Sequence, residues 1–215
     1  MPGRSLYKGN SDFLLNLQGD NEGNNISELN NSLNEMTAMY WFSKHYEEIG
    51  NPEYFGFFHY RRFLNFKLED LNKNKINVIR VNVNQIHNVK NLNVYSQLLL
   101  NQATNDSWSK FINTYILLNP DDAKLMTEFL SGDTLYICNM FIMHKEYFIE
   151  YGKFMEKCID IAKLFVKHYS YDLIKYPRMY GHMLERMTSF YLFKLQKTKN
   201  IEMINTPIIG ELFHN

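Results

Sequence analysis

The segment with the clearest chemical potential is His59, Tyr60, Arg61 and Arg62, which follows an aromatic run. An arginine guanidinium is permanently charged and presents a planar fork of donors that fits the oxygens of a diphosphate. His59, beside the arginines, can donate a hydrogen bond or move a proton. The segment is therefore a candidate anion site. The alternative is a charged strand end that pairs with nearby acids, because adjacent side chains of an extended strand point to opposite faces.

A single amide, Asn139, interrupts the apolar run from Tyr136 to Met143. A buried asparagine needs hydrogen-bond partners for both its oxygen and its nitrogen. Two interpretations are open at this point. The side chain either satisfies a neighbouring loop, or it faces a cleft and binds a ligand hydroxyl group such as that of a sugar.

A third candidate lies near the start of a predicted helix that follows Pro177. Within this helix His182 and Arg178 precede Glu185 at i−3 and i−7, so the three side chains should share one face. They form either a surface ion-pair cluster or a carboxylate that is presented to an acceptor hydroxyl as a general base.

Several familiar catalytic motifs are absent from the sequence. It contains no GxGxxG, no P-loop, no HExxH and no GxSxG. It also lacks an Asp-x-Asp at a strand end, the arrangement by which many nucleotide-sugar enzymes hold a divalent metal. Asp121 and Asp122 fall in the first turn of a predicted helix, where the helix dipole accounts for them. No metal ligand is therefore assigned.

Composition and charge narrow the class of protein. The chain has 215 residues, 45% of them hydrophobic, and we expect one domain over residues 1–215. Lys plus Arg and Asp plus Glu both number 23, so no overall positive field attracts nucleic acid, which is not an expected partner. Cys138 and Cys158 lack the spacing of a zinc site or a disulfide framework, which fits a reducing cytoplasm.

The apolar pattern predicts strands that alternate with helices, which is the α/β class. We expect strands at 54–60, 77–82, 134–143 and 201–204, and a closing turn at 207–209. We expect helices that begin near residue 32 and at residues 106, 120, 145 and 180. Residues 1–25 are rich in Gly, Asn and Asp and should be irregular, and the Asn-rich segment 72–93 should be variable, with one or two strands.

Two of these elements carry candidate residues. Ser32 and Glu35 have the spacing of a capping box, in which each side chain satisfies a backbone donor of the other residue at the helix start. The helix should stop before Gly50. The aromatic run from Tyr54 to Tyr60 predicts a strand that is buried on both faces, and such a strand should be central in the sheet.

Four stretches of the chain, taken together and in order, resemble the bacterial DUF4422 family. Its members are found among the glycosyltransferases of capsule, exopolysaccharide and lipopolysaccharide O-antigen synthesis. The stretches are residues 23–41, which include Asn-Ile-Ser and Asn-Glu-Met-Thr-Ala-Met-Tyr-Trp; residues 56–63, which include His-Tyr-Arg-Arg; residues 139–143, Asn-Met-Phe-Ile-Met; and residues 181–186, Gly-His-Met-Leu-Glu-Arg. The likeness runs from about residue 20 to the end of the chain.

The resemblance implies a GT-A-like, Rossmann-like mixed sheet flanked by helices. It also implies transfer of a sugar from a nucleotide-sugar donor to a lipid-linked or oligosaccharide acceptor. On this basis we expect Glu185 and His59 to be catalytic, and we expect the donor diphosphate to bind Arg61, Arg62 and Tyr60. Contacts to the sugar or acceptor are expected from Asn139, Asn25, Glu35, His182 and Arg178. Mn²⁺ or Mg²⁺ is left open as a cofactor, and the expected location is the cytoplasm, with peripheral association at the inner membrane.

Members of the family begin with an apolar strand ahead of the Asn-Ile-Ser segment, whereas this sequence starts at Met1-Pro2-Gly3-Arg4. The resemblance therefore implies a fold that is truncated at its N-terminus. Asn24 stands where the family usually has an aspartate, which removes one carboxylate that would have served metal or sugar. The alternative function is that of a truncated, non-catalytic relative that binds glycan or assists assembly.

Overall fold

The computed structural model describes residues 19–59, 62–71, 76–86, 92–168 and 170–209. Tyr60, Arg61, most of the predicted irregular segment 1–25 and parts of the Asn-rich segment 72–93 lie outside the described residues. Within the described ranges, helices and strands alternate along the chain. The predicted α/β class is confirmed.

The strands form one mixed sheet and one small ribbon. The strands are β1 (Tyr54–Phe57), β2 (Phe63–Leu64), β3 (Val78–Gln85), β4 (Thr134–His144), β5 (Glu202–Asn205) and β6 (Ile208–Ile209). The main sheet has the order β1-β4-β3-β5, in which β4 runs antiparallel to both of its neighbours and β5 runs parallel to β3. The ribbon pairs β2 with β6. The predicted closing strand at 201–204 is confirmed as β5, whereas the segment 207–209, which was predicted to be a turn, contains β6.

The described helices are α1 (Asn30–Leu33), α2 (Met36–His45), α3 (Val94–Leu99), α4 (Asn105–Leu118), α5 (Ala123–Ser131), α6 (Lys145–His168), α7 (Ser170–Lys175) and α8 (Met179–Lys199). The helices α4, α6 and α8 occupy the places that their apolar spacing predicts, and α5 ends just before Gly132. The short helices α3 and α7 were not predicted, because few residues of each carry a periodic signal.

The core lies where α6 and α8 pack against each other and against the sheet. Phe148 of α6 stacks on Phe55 of β1 with ring centroids 4.0 Å apart, and Phe190 of α8 is completely buried. Each such side chain contributes about 1.5–3 kcal/mol through removal of its apolar surface from water. Because α8 is fixed against β4 along much of its length, its polar side chains have defined positions relative to that strand.

The predicted capping box at Ser32 and Glu35 is wrong. The helix is interrupted: α1 ends at Leu33, Asn34 adopts a positive φ of 57°, and α2 begins at Met36. Glu35 precedes α2 but makes no side-chain cap. Asparagine tolerates a positive φ better than most residues, so Asn34 permits a break that the spacing alone does not reveal. The carboxylate of Glu35 is used elsewhere.

The aromatic strand is shorter and less central than predicted. β1 ends at Phe57, before the expected end at Tyr60, and it lies at one end of the strand order. Phe55 is buried, whereas Gly56 is exposed, so the strand is not covered on both faces. The interior positions belong to β4 and β3. Strand order depends on pairing between distant segments, which local hydrophobicity does not encode.

Candidate active site

The backbone of β4 leaves the regular ladder in the middle of the strand. Val81 of β3 pairs with Phe141 and Val83 pairs with Tyr136, so that Asn82 alone stands opposite residues 137–140. We refer to residues 137–140 as the β4 excursion. Within it Cys138 and Asn139 have φ angles of 63° and 51°. This conformation costs a non-glycine residue about 1–2 kcal/mol. Such strain is concentrated at functional sites, which makes the excursion a candidate.

Two side chains of α8 hydrogen-bond the backbone of β4, one within the excursion and one at the residue that precedes it. The Oε1 atom of Glu185 accepts a hydrogen bond from the backbone N–H of Cys138 at 2.6 Å. The hydroxyl of Ser189 donates to the carbonyl oxygen of Tyr136 at 2.7 Å and accepts from the N–H of the same residue at 3.2 Å. Glu185 and Ser189 are one helical turn apart and so share a face of α8. The helix therefore holds the excursion in its irregular shape.

Asn139, the residue after Cys138 in the excursion, has a polar side chain that needs hydrogen-bond partners. Its side chain is buried, and its Nδ2 atom donates to the Oε1 atom of Glu35 at 2.7 Å. Its Oδ1 atom is also buried but has no hydrogen-bond partner among the described residues. The amide thus anchors the segment between α1 and α2 on one side and retains an unused acceptor on the other.

Arg62 reaches the excursion from the segment after β1. Its Nη1 atom donates to the Sγ atom of Cys138 at 3.2 Å, and its backbone N–H donates to the carbonyl oxygen of His59 at 3.1 Å. A guanidinium has five N–H donors, so one bond to sulfur leaves others for a ligand. Burial raises the pKa of the Cys138 thiol, the Glu185 charge adds to this effect and Arg62 opposes it, so the thiol is neutral.

Glu185 lies beside an arginine and a histidine of the same helix. Its Oε2 atom lies 3.9 Å from Nδ1 of His182 and 3.5 Å from Nη1 of Arg186. Burial alone would raise the pKa of the Glu185 carboxyl, but the neighbouring His182, the Arg186 charge and the hydrogen bond from the Cys138 N–H outweigh burial and lower that pKa. The group is therefore ionised at neutral pH. With a side chain only 17% exposed, it is not part of a surface ion-pair cluster.

His182 and Arg178 lie on the wall of an open cleft of about 530 Å³, as their shared helix face suggests. His182 thus joins the cleft to Glu185, whereas Arg178 occupies the N-cap position of α8, makes no side-chain capping bond and is exposed. Asn25 lies apart from this group, because its side-chain amide hydrogen-bonds Ser27 and Gly23 within a local turn.

His59 is half-buried and forms an isolated backbone bridge with Arg62. Arg61 and Tyr60 lie outside the described residues.

A family described as a domain of unknown function, DUF4422, matches residues 6–197. The chain belongs to the DUF4422 family. This confirms the resemblance based on the four stretches, and the structure brings residues from all four to the β4 excursion. No curated protein matches this DUF4422 chain.

Among solved structures, this DUF4422 chain is similar to the apo structure of WbbM, a bifunctional glycosyltransferase. The sequences are 21% identical, the TM-score is 0.76, and the match covers 90% of this chain and 39% of that chain. At this identity the likeness shows a shared fold, which confirms the predicted glycosyltransferase-like mixed α/β architecture. The chain spans about two fifths of the length of WbbM.

Several residues of the DUF4422 site were missed from the sequence. Asn34 packs so closely on α8 that a Cβ atom on Gly181 would collide with its Nδ2 atom. The signal for this contact was available, because a glycine inside a helix often marks a close approach. Arg186 is 4% exposed and donates to the side chains of Gln97 and Gln102. An arginine within an apolar helix pattern was the corresponding signal.

The acidic residues of this DUF4422 site do not form a metal-binding set. Among the residues that the structure describes, no group of three His, Cys, Asp or Glu side chains could hold a metal ion. Glu35 accepts a hydrogen bond from Asn139, and Glu185 is paired with Arg186 and accepts a hydrogen bond from the Cys138 N–H. We therefore derive no step through Mn²⁺ or Mg²⁺.

Among the helices that the structure describes, none is both long enough and apolar enough to span a membrane.

Proposed function

We propose that this chain is a glycosyltransferase that moves a sugar from a nucleotide-sugar donor to a growing surface polysaccharide of the capsule, exopolysaccharide or O-antigen type. The observation that carries the proposal is the meeting of Glu35, Arg62, Asn139 and Glu185 at the β4 excursion, from four separate stretches of the chain. Membership of DUF4422 and the fold shared with a bifunctional glycosyltransferase support it.

Arg62 is the proposed contact to the donor diphosphate. As the bond from the anomeric carbon to the diphosphate breaks, the leaving group takes the electron pair and its negative charge grows. A fixed guanidinium stabilises that charge most when it is already in place before the reaction. The bond to Cys138 restrains Arg62 in this way. Arg61 and Tyr60 join the proposal from the sequence alone, as does a supporting role for His59.

Glu185 is the proposed partner of the acceptor hydroxyl. The acceptor oxygen forms the new bond to the anomeric carbon, and its proton must leave. An ionised carboxylate can orient the hydroxyl and receive this proton. The lowered pKa ensures that Glu185 is ionised at neutral pH but makes it a weaker base. Its main contribution is therefore orientation of the acceptor, through the Oε2 atom that faces His182.

Asn139 is the proposed contact to a sugar hydroxyl. Its Oδ1 atom is a buried acceptor without a partner among the described residues, and a sugar hydroxyl is a suitable donor. The bond from Nδ2 to Glu35 fixes the orientation of the amide. Glu35 then acts by positioning Asn139.

The proposal is tested by incubating the protein with a panel of UDP-, GDP-, dTDP- and CMP-sugars and glycan acceptors. Released nucleotide and extended glycan are quantified together. We expect one donor to give both products. Glu185→Gln should remove both, whereas Glu150→Gln should retain them, since Glu150 is an exposed partner of Lys199. Binding of nucleotide-sugars without any glycan extension across the panel would contradict the proposal and support the non-catalytic alternative.

A further inference from the structure

Arg186 is a buried cation that lies beside Glu185. Its side chain is only 5% exposed, and its Nη1 atom lies 3.5 Å from the Oε2 atom of Glu185. Among the acidic residues that the structure describes, Glu185 alone lies within ion-pair distance of this guanidinium. Because the pair is largely buried, the attraction between the two charges is stronger than it would be at the surface. The charge of Arg186 therefore acts mainly on Glu185.

The guanidinium is held in place from a separate part of the chain. Successive residues of a helix point in different directions, so Arg186 does not meet Glu185 through its place on α8 alone. The Nη2 atom of Arg186 donates to the Oε1 atom of Gln97 on α3 and to the Oε1 atom of Gln102, which follows α3. Both acceptors are neutral amides, so they fix the guanidinium without neutralising its charge. The two glutamines therefore hold the cation beside Glu185.

The burial of Arg186 is not explained by stability alone. Its Nε atom is buried and has no hydrogen-bond partner among the described residues. Burial lowers the pKa of this guanidinium, and the Glu185 charge opposes that effect. Buried ion pairs often stabilise a fold no better than well-packed apolar side chains do. A buried arginine with one unsatisfied N–H therefore points to a role of its charge in the chemistry of Glu185.

Other charged or titratable groups lie near Glu185, but none of them replaces Arg186. They are His182 on α8, Cys138 on β4, Arg62 after β1 and Glu35 between α1 and α2. A histidine is charged only when it is protonated, and His182 is 30% exposed. The thiol of Cys138 is neutral, and Arg62 bonds this thiol. Glu35 has the same charge as Glu185 and cannot support its ionisation. Among the described residues, Arg186 is thus the one permanent cation paired with Glu185.

We propose that Arg186 is a positioning residue for sugar transfer, which keeps the Glu185 carboxylate ionised and fixes its orientation towards the acceptor, and that Gln97 holds Arg186 for this task. The inference rests on the proposed role of Glu185. The Cys138 N–H fixes the Oε1 atom of the carboxylate, and Arg186 restrains the Oε2 atom. Arg186 itself is not on the wall of the cleft, so it acts through Glu185 and not on the substrate.

The ionisation of Glu185 can be measured without any substrate. The full chain is labelled with carbon-13 at its glutamate carboxyl groups and titrated by NMR, and Glu185→Gln identifies the signal. In wild type we expect a midpoint below the ordinary pKa of 4.5. Arg186→Met removes the charge and keeps an apolar side chain, so the midpoint should rise by about 1 pH unit or more, as expected for loss of a nearby opposite charge.

Lys194→Met is the matched control for this titration. Lys194 also lies on α8 and pairs with the buried Asp122, away from Glu185. Its replacement should lower stability but leave the Glu185 midpoint unchanged. Equal midpoints in wild type and Arg186→Met would overturn the inference even if the protein transfers sugar. A raised midpoint in a protein that transfers no sugar from any donor of the panel would support the electrostatic role of Arg186 and refute the proposed function alone.

The pH dependence of kcat tests the positioning role. In Arg186→Met the acid limb of the profile should move to higher pH, and the plateau kcat should fall about tenfold or more because the carboxylate is no longer held in place. The KM for the donor should not change, because Arg186 is buried. Arg186→Lys keeps the charge, so it should return the acid limb to its wild-type position and recover part of the plateau kcat. A purely structural role would leave the acid limb of all these variants in place.

Gln97→Leu tests the anchor of Arg186 without a change of charge. Gln97 does not lie on the wall of the cleft, so the substitution leaves that wall intact. We expect a smaller loss of kcat than in Arg186→Met, a Glu185 midpoint between those of wild type and Arg186→Met, and an unchanged donor KM. Because this variant keeps Arg186, it also decides the question if Arg186→Met does not fold. A wild-type kcat together with a wild-type Glu185 midpoint in Gln97→Leu would overturn the inference.

Discussion

The carboxylate of Glu185 accepts a hydrogen bond from the backbone N–H of Cys138 at 2.6 Å. This bond joins the helix α8 to the point where β4 departs from its ladder, and it links an ionised side chain to a strained backbone. The same carboxylate is paired with Arg186 and lies near His182. Glu185 therefore has both a structural and a proposed catalytic role, and experiments must separate them.

Substitutions of Glu185 should separate these roles. Glu185→Ala leaves the Cys138 N–H without its acceptor and removes the carboxylate paired with Arg186, so we expect the free energy of unfolding to fall by about 1–3 kcal/mol. Glu185→Gln keeps an oxygen that can accept from Cys138 and should lose less stability, although it should lose sugar transfer as fully. Urea denaturation and transfer rates measure the two effects. Equal stability of the Ala variant and wild type would contradict the structural role.

The stability of the protein at acidic pH should show how much the charge of Glu185 contributes to the free energy of unfolding. Because the folded-state pKa lies below the ordinary value of 4.5, the ionised carboxylate stabilises the fold above about pH 4.5. That contribution is lost as the pH falls through the folded-state pKa. We expect the difference in free energy of unfolding between wild type and Glu185→Gln to shrink between about pH 5 and pH 3. A difference that stays constant over this range, in urea titrations at each pH, would show that the charge contributes nothing.

The strain at Asn139 can be tested with two substitutions that both remove its side-chain bond to Glu35. Alanine retains the cost of the positive φ, whereas glycine adopts that conformation readily. Asn139→Gly should therefore be more stable than Asn139→Ala by about 1 kcal/mol. Thermal and urea unfolding provide the comparison, and both variants should transfer sugar slowly. An alanine variant as stable as the glycine variant would argue against a left-handed conformation at this position.

The contact between Asn34 and Gly181 predicts a coupling between two segments that are distant in sequence. A methyl group on Gly181 would collide with the Asn34 amide, so Gly181→Ala should be destabilised by about 1–3 kcal/mol. Asn34→Gly removes the obstructing side chain and suits the positive φ of 57°. The double variant should therefore lose less stability than the sum of the single variants. Strict additivity in this double-mutant cycle would mean that the two residues are not in contact.

The sequence predicted the long periodic elements well but not the breaks within them. α4, α6 and α8 repeat an apolar face over several turns, and β4 is a long apolar run, so local pattern was sufficient. The break at Asn34 and the excursion at Cys138 both depend on tertiary bonds. A capping-box spacing cannot reveal that Glu35 bonds a strand distant in sequence.

The sequence predicted individual residues of the candidate site but not that they lie together in the fold. Asn139, Glu185 and Arg62 were each singled out by residue type and context, yet nothing in their spacing shows that they meet at one backbone irregularity. From the sequence, Cys138 was noted only as a cysteine without zinc-site or disulfide spacing, because its part in the site comes from its backbone N–H and conformation. The roles of His59 and Asn25 stay predictions from the resemblance.

The rate of sugar transfer by the Arg61→Ala and Arg62→Ala double variant tests the central claim most directly. Arg80→Ala is the matched control, since Arg80 lies on β3 and its Nη2 atom donates to the carbonyl oxygen of Asp70. With folding verified by circular dichroism, the double variant should transfer sugar at least about 100-fold more slowly than wild type. The control should stay within a few-fold of wild type. Transfer by the double variant at the wild-type rate would contradict a donor site at the β4 excursion.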